Sequence, residues 1–144
     1  MAFINKSVLL EYSADQMFAL VDGIENYPEF LEWCSEVDVQ RDGGNEEVVA
    51  KVTMYFHGFR QSFTTKNINV RPGSIRMELV NGPFTKLDGR WTFKPLRADA
   101  CKVEFDLEYD FSGHLLESII DPVFGAIANS LIDSFCKRAE AVYG

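Results

Sequence analysis

The sequence predicts an α+β fold: one curved antiparallel sheet of about seven strands wrapped around a long C-terminal helix, with two short helices after the first strand. Three observations predict it. Apolar residues alternate with polar ones from about residue 35 to residue 111, the signature of strands with one dry and one wet face. The breaks in that run are short turn signals that cannot hold crossover helices, so successive strands are antiparallel neighbours. The last thirty residues then change to apolar pairs at spacing four.

The elements follow in order. Residues 3–12 form a first strand, with Ile4, Val8, Leu10 and Tyr12 on one face. Ser13 opens a capping box with Gln16, and Met17, Phe18, Leu20 and Val21 give a short amphipathic helix that Gly23 is expected to end in a left-handed cap. Pro28 suits the first turn of a second short helix. The inward faces then read Val48, Ala50, Val52, Met54 and Phe56; Phe59, Gln61, Phe63 and Thr65; Ile75, Met77 and Leu79; and Leu87, Gly89, Trp91 and Phe93. The cleanest alternation sets Cys101, Val103, Phe105, Leu107, Tyr109 and Phe111 against Lys102, Glu104, Asp106, Glu108 and Asp110. Turns fall at "DGGN" 42–45, "HG" 57–58, "RPGS" 71–74, "NGP" 81–83 and "RADA" 97–100. In the helix, pairs recur from Leu115/Leu116 to Phe135/Cys136, and Asp121–Pro122 predicts a kink or a fresh helix start.

The 144 residues suit one domain, expected over 1–144, large enough to need no disulfide or metal for stability. The composition, 47% hydrophobic and 25% charged, is that of a globular protein, with Phe in excess at 12 copies. A net charge of −8 disfavours a broad grip on nucleic-acid phosphate, so no direct DNA binding is expected, and any membrane contact is at most transient. Three widely spaced cysteines suggest a reduced compartment. With no signal-peptide pattern and no apolar stretch long enough to span a bilayer, the expected location is cytoplasmic.

Chemistry-bearing motifs are sparse. His57 reads as a turn residue and His114 as a helix-start residue; neither has an oriented partner in the sequence. Cysteine spacing fits no zinc site. Cys34 lacks a neighbouring base and is flanked by Glu32 and Glu36, so it reads as a small buried apolar group, and Cys101 and Cys136 fall on core faces. The carboxylates of 101–110 read as a solvated face, and Lys137–Arg138 is too small a pair to reverse the negative balance. No catalytic residue, metal site or cofactor site is expected.

One helix is narrower than seven strands, so a sheet curled around it leaves an apolar cavity between them. Its expected lining from the sheet is Val52, Met54, Phe63, Met77, Trp91, Phe93, Phe105 and Tyr109, and from the helix Phe124, Ile127 and Leu131. The stretch "YPEFLEWC", 27–34, is unusually apolar for a connection. Tyr27, Phe30, Leu31 and Trp33 are therefore expected to form a partly buried rim over one end of the cavity, with Cys34 incidental.

Three blocks, "YSADQMFALVDGIENYPEFLEWC", "GPFTKLDGRWTF" and "FCKRAEAVYG", resemble the RatA and coenzyme-Q-binding START-like family, within the polyketide cyclase/dehydrase superfamily. The chain departs from it at Glu32, where the family usually has proline. The resemblance implies a helix-grip fold whose cavity binds an apolar isoprenoid or quinone-like molecule, in support of respiratory quinone function or lipid handling. Bacterial members also carry the name of a toxin that blocks association of ribosomal subunits, which would make the large ribosomal subunit a partner. The first expectation is thus a non-enzymatic binding protein. The alternative is a RatA-type toxin, and the second alternative is a polyketide cyclase-like enzyme, disfavoured because no acid/base pair can be assembled.

Overall fold

The computed structural model describes residues 2–41, 46–56 and 58–144, with the side chains of Phe56, Leu115 and Leu116 outside the description. The turn expected at 42–45 and the reading of His57 lie outside the described residues. In chain order the elements are β1 (Ala2–Leu10), α1 (Ala14–Asp22), a 3-10 turn (Ile24–Asn26), α2 (Tyr27–Phe30), β2 (Cys34–Gln40), β3 (Glu47–Phe56), β4 (Phe59–Val70), β5 (Ser74–Asn81), β6 (Phe84–Arg97), β7 (Ala100–Phe111) and α3 (His114–Tyr143). The strands form one seven-stranded sheet in the order β1-β7-β6-β5-β4-β3-β2, every neighbouring pair antiparallel. Six strands meander, and β1 closes the far edge against β7, Ile4 opposite Leu107.

Alternation sets which face of each strand is buried. Residues 100–111 alternate almost without fault, and Val48, Ala50, Val52 and Met54 are all buried. α3 covers this face: Ile120, Phe124, Ala128, Ile132, Phe135 and Ala139 are buried, so one member of most apolar pairs points inward. The capping box of α1 is present in both directions, Gln16 N–H donating to Ser13 Oγ at 3.1 Å and Ser13 N–H to Gln16 Oε1 at 2.9 Å.

Three local expectations fail. Gly23 is not left-handed (φ −76°), because the chain does not reverse there but runs straight into the 3-10 turn, Asn26 N–H bonding the Gly23 carbonyl at 3.0 Å. No fresh helix starts at Pro122, since α3 is one continuous helix through it. The lost backbone bond is outweighed by burial of Ile120 and Phe124 on either side. The unbroken helix in turn makes Glu117–Tyr143 long and apolar enough to cross a membrane by length and composition, which the sequence reading had excluded. In this fold its inward face lies on the sheet.

Candidate functional site

The concave face of the sheet and the inner face of α3 do not meet everywhere. Between them lies a cavity of about 90 Å³. β3 contributes Ala50, Val52 and Met54, and β4 Phe63, Thr65 and Asn67. Met77, Leu87, Trp91, Phe105 and Leu107 come from β5 to β7. Phe124, Ile127, Ala128, Leu131 and Phe135 close it from α3, and Ile24, Tyr27 and Trp33 close one end. Gly89 shapes this wall by what it lacks. A Cβ there would stand 2.4 Å from Met77 Cε, so the glycine leaves the room in which Met77 lies.

The lining therefore gathers Tyr27, Trp33, Val52, Met54, Phe63, Met77, Trp91, Phe105, Phe124, Ile127 and Leu131 from the residues expected from sequence. Four others lie elsewhere. Leu31 is 2% exposed and packs into a second cluster with Ile24, Cys34, Val48, Ala50 and Val52, so it is core and not rim. Its place follows from the Leu31 N–H bond to the Tyr27 carbonyl at 2.8 Å, which ends α2 and turns the side chain under it. Phe30 sits on an outer groove, with the Arg138 guanidinium 4.8 Å from its ring centre. Phe93 is taken up by an edge contact with Phe18 at 5.6 Å, towards α1. Tyr109 packs on Phe124 and Phe111 at 4.8 and 5.8 Å, filling the opposite end.

The rim is fastened more firmly than its sequence suggested. Tyr27, Phe30 and Phe135 form a triangle of edge-to-face rings with centres 5.5 to 6.0 Å apart. The Tyr27 hydroxyl is enclosed although the residue is only partly buried, and it donates to the Val21 carbonyl. Burial first, and then the Asp22 charge, raise its pKa far above the ordinary phenol value. A further clamp lies behind it. Arg41 donates to both Glu25 carboxylate oxygens, at 2.8 and 2.9 Å, and to Asp22 at 3.1 Å, while Asn69 Nδ2 donates to Asp22 at 2.9 Å. This ties the end of α1, the 3-10 turn, the end of β2 and β4 into one unit. The Arg41 hydrogen bond holds the Glu25 carboxyl below its usual pKa.

The cavity's own chemistry is spare. Thr65 and Asn67 are its polar side chains apart from the tethered Tyr27 and the Trp33 indole; they are 5% and 6% exposed, and Thr65 Oγ1 donates to Asn67 Oδ1 at 2.9 Å. Sequence reasoning stopped the inward face of β4 at Thr65, yet the same alternation continues through Asn67 and Asn69. The pattern carried that signal, and polarity masked it. Ile24, Ala50, Leu87, Leu107, Ala128 and Phe135 were also missed, and all but Ile24 share an inward face with residues that were named. Burial pushes the Cys34 thiol up to about 11, so it is no ready nucleophile. Among the described residues, no group of His, Cys, Asp or Glu is arranged to hold a metal. The expected solvated carboxylates of β7 do find partners: Asn5 bonds Glu104 at 3.0 Å, and Lys86 bonds Glu108 at 2.6 Å.

The comparisons with known proteins fit this geometry. The family model described as polyketide cyclase / dehydrase and lipid transport matches residues 10–136. The chain is 43% identical to the ribosome association toxin RatA of Pseudomonas aeruginosa, over 98% of this chain and 97% of that protein. It is 25% identical to the mitochondrial coenzyme Q-binding protein COQ10 of Drosophila melanogaster, over 93% of this chain and 57% of that protein. A START superfamily protein from Mycobacterium smegmatis has the same fold, with a TM-score of 0.71 at 20% identity, covering 96% of this chain and 94% of that one.

Proposed function

Because this chain belongs to the polyketide cyclase/dehydrase and lipid transport family, we propose that it binds a hydrophobic small molecule between sheet and helix without transforming it. The class is a ubiquinone-like isoprenoid or a lipid, held in support of respiratory quinone function or lipid handling. One observation carries this reading: a curved sheet and an amphipathic helix enclose a cavity whose walls are almost wholly apolar. The name of the COQ10 relative supports a quinone within that class. At about 90 Å³ the cavity is smaller than the roughly 300–1,000 Å³ of typical ligand sites. Binding therefore requires side chains to part, and the partly exposed Trp33, Phe63, Met77, Ile127 and Leu131 are placed to do so. The reading includes cytoplasmic residence with at most transient membrane contact.

Native mass spectrometry of detergent-free protein, followed by organic extraction, tests it. A co-purifying apolar molecule is the expected result. A ligand-free protein that also fails to take up short-chain quinone or fatty-acyl probes would overturn it.

A second reading, action on ribosomal subunits, rests on the 43% identical relative named as a ribosome association toxin. The net charge of −8 works against direct RNA contact, so a basic protein surface of the large subunit is the partner this reading requires. Sedimentation of free subunits mixed with excess protein decides it: loss of 70S particles supports the role, and undisturbed 70S formation rejects it. An enzymatic reading has less support, because the cavity lining offers no acid–base pair among the described residues.

A further inference from the structure

We infer that Asn67 sets the ligand specificity of this cavity and that it selects molecules carrying a carbonyl oxygen over bare hydrocarbons. The inference rests on the proposed binding function and narrows its ligand class.

Asn67 lies on the inward face of β4, between Val48 on β3 and Met77 on β5. It is 6% exposed and lines the cavity. A buried amide without partners is costly, so its hydrogen bonds matter individually. Oδ1 is occupied, accepting from Thr65 Oγ1 at 2.9 Å. Nδ2 has no hydrogen-bond acceptor among the described residues, and it is not fully enclosed in the core. With Oδ1 turned to Thr65, the end of the Asn67 amide left without a partner is its donor, Nδ2. Beyond the Thr65 and the tethered Tyr27 hydroxyls, the surrounding lining, Ala50, Met77 and Trp91 among it, supplies no oxygen acceptor side chain. A ligand that brings an oxygen acceptor completes the Asn67 donor, whereas a hydrocarbon leaves it buried and unpaired. The carbonyl of a quinone and that of an acyl ester share this chemistry.

Titration calorimetry with three probes separates the outcomes: a short-chain isoprenyl benzoquinone, a medium-chain fatty acid methyl ester, and an isoprenyl benzene lacking oxygen. Wild type is expected to bind at least one carbonyl probe about tenfold more tightly than the hydrocarbon, a difference of about 1.4 kcal/mol. Whichever carbonyl probe is preferred identifies the source of the oxygen. Asn67→Leu should erase that preference, bringing the carbonyl and hydrocarbon probes within about twofold of each other, because the hydrocarbon no longer leaves a donor unpaired. Thr65→Val, which frees the amide to turn, should reduce it to an intermediate value. Preference retained in Asn67→Leu, or equal binding of all three probes by wild type, overturns the inference and leaves the proposed function standing. Failure of wild type to bind any probe removes both. If Asn67→Leu does not fold, the infrared carbonyl stretch of the ligand bound to wild type replaces it: a shift to lower wavenumber than in alkane solvent is expected, and an unshifted band is the contrary result.

Discussion

Gly89→Ala adds one carbon to the wall of the cavity, and its consequences follow from distances. The new Cβ would lie 2.4 Å from Met77 Cε and 3.2 Å from Leu107 Cδ1. Unstrained carbon contacts are about 3.5–4.0 Å, so the Met77 methyl must retreat by about 1 Å or more. Leu107 and the Asp106 carbonyl, 3.6 Å away, block the strand side, and the room left to Met77 is the cavity it already lines. Overpacking costs about 1–3 kcal/mol, and the flexible thioether places this case at the low end. Alanine recovers about 0.5–1 kcal/mol by restricting the unfolded chain. The predicted net loss of stability is thus about 0–2 kcal/mol, read from denaturant midpoints. Ligand affinity should fall much further, by about tenfold or more, because the intrusion occupies a cavity of only about 90 Å³. Met77→Ala in the same chain should restore it. If Gly89→Ala binds the quinone probe as wild type does and is equally stable, the cavity does not limit binding and the reasoning fails.

Four further predictions concern the rim, its clamp and Cys34. Leu31→Ala removes three carbons from a fully buried site, at about 0.8 kcal/mol each plus a cavity term, so about 3–4 kcal/mol of stability should be lost. Trp33→Ala, at a partly exposed position shared by the cavity and the outer groove, should cost less stability and more ligand affinity; the reverse order would restore the rim role to Leu31. Arg41→Met should flatten the acid limb of stability. The folded Glu25 pKa lies below its ordinary value of 4.5, so its contribution is present above that pH and is lost as pH falls through the lower folded value, which urea midpoints between about pH 3 and 6 would register. An acid limb unchanged in Arg41→Met would show that the pair contributes nothing. Cys34, with its thiol raised to about 11, should be alkylated at pH 8 about a hundredfold more slowly in the native than in the unfolded protein, and Cys34→Ala should bind ligand normally; fast native labelling would contradict its burial.

The sequence by itself determined the sheet, the long helix and the capping box, because each is written in local spacing: period two, period four and a Ser–x–x–Gln pair. It also determined which side of each strand faces inward; Asn67 sits in the same alternation, but its polarity masked it and the inward face of β4 was read only as far as Thr65. Depth was a different matter. Alternation assigns a face but not a distance from the helix, so Phe93 and Tyr109 share an inward face with Trp91 and Phe105, yet only the latter two reach the cavity. Depth depends on where α3 crosses a curved sheet, and no local pattern encodes that. Leu31 became core because α2 ends one residue earlier, a decision made by packing under the Tyr27–Phe30–Phe135 triangle. The Arg41 clamp joins residues 16 to 47 positions apart or brought together through a shared carboxylate, and such ion pairs acquire partners only once the chain has folded. Pro122 shows the same limit from the other side: its local preference predicted a kink or a fresh helix start, and no fresh start occurs, Ile120 and Phe124 being buried on either side of it.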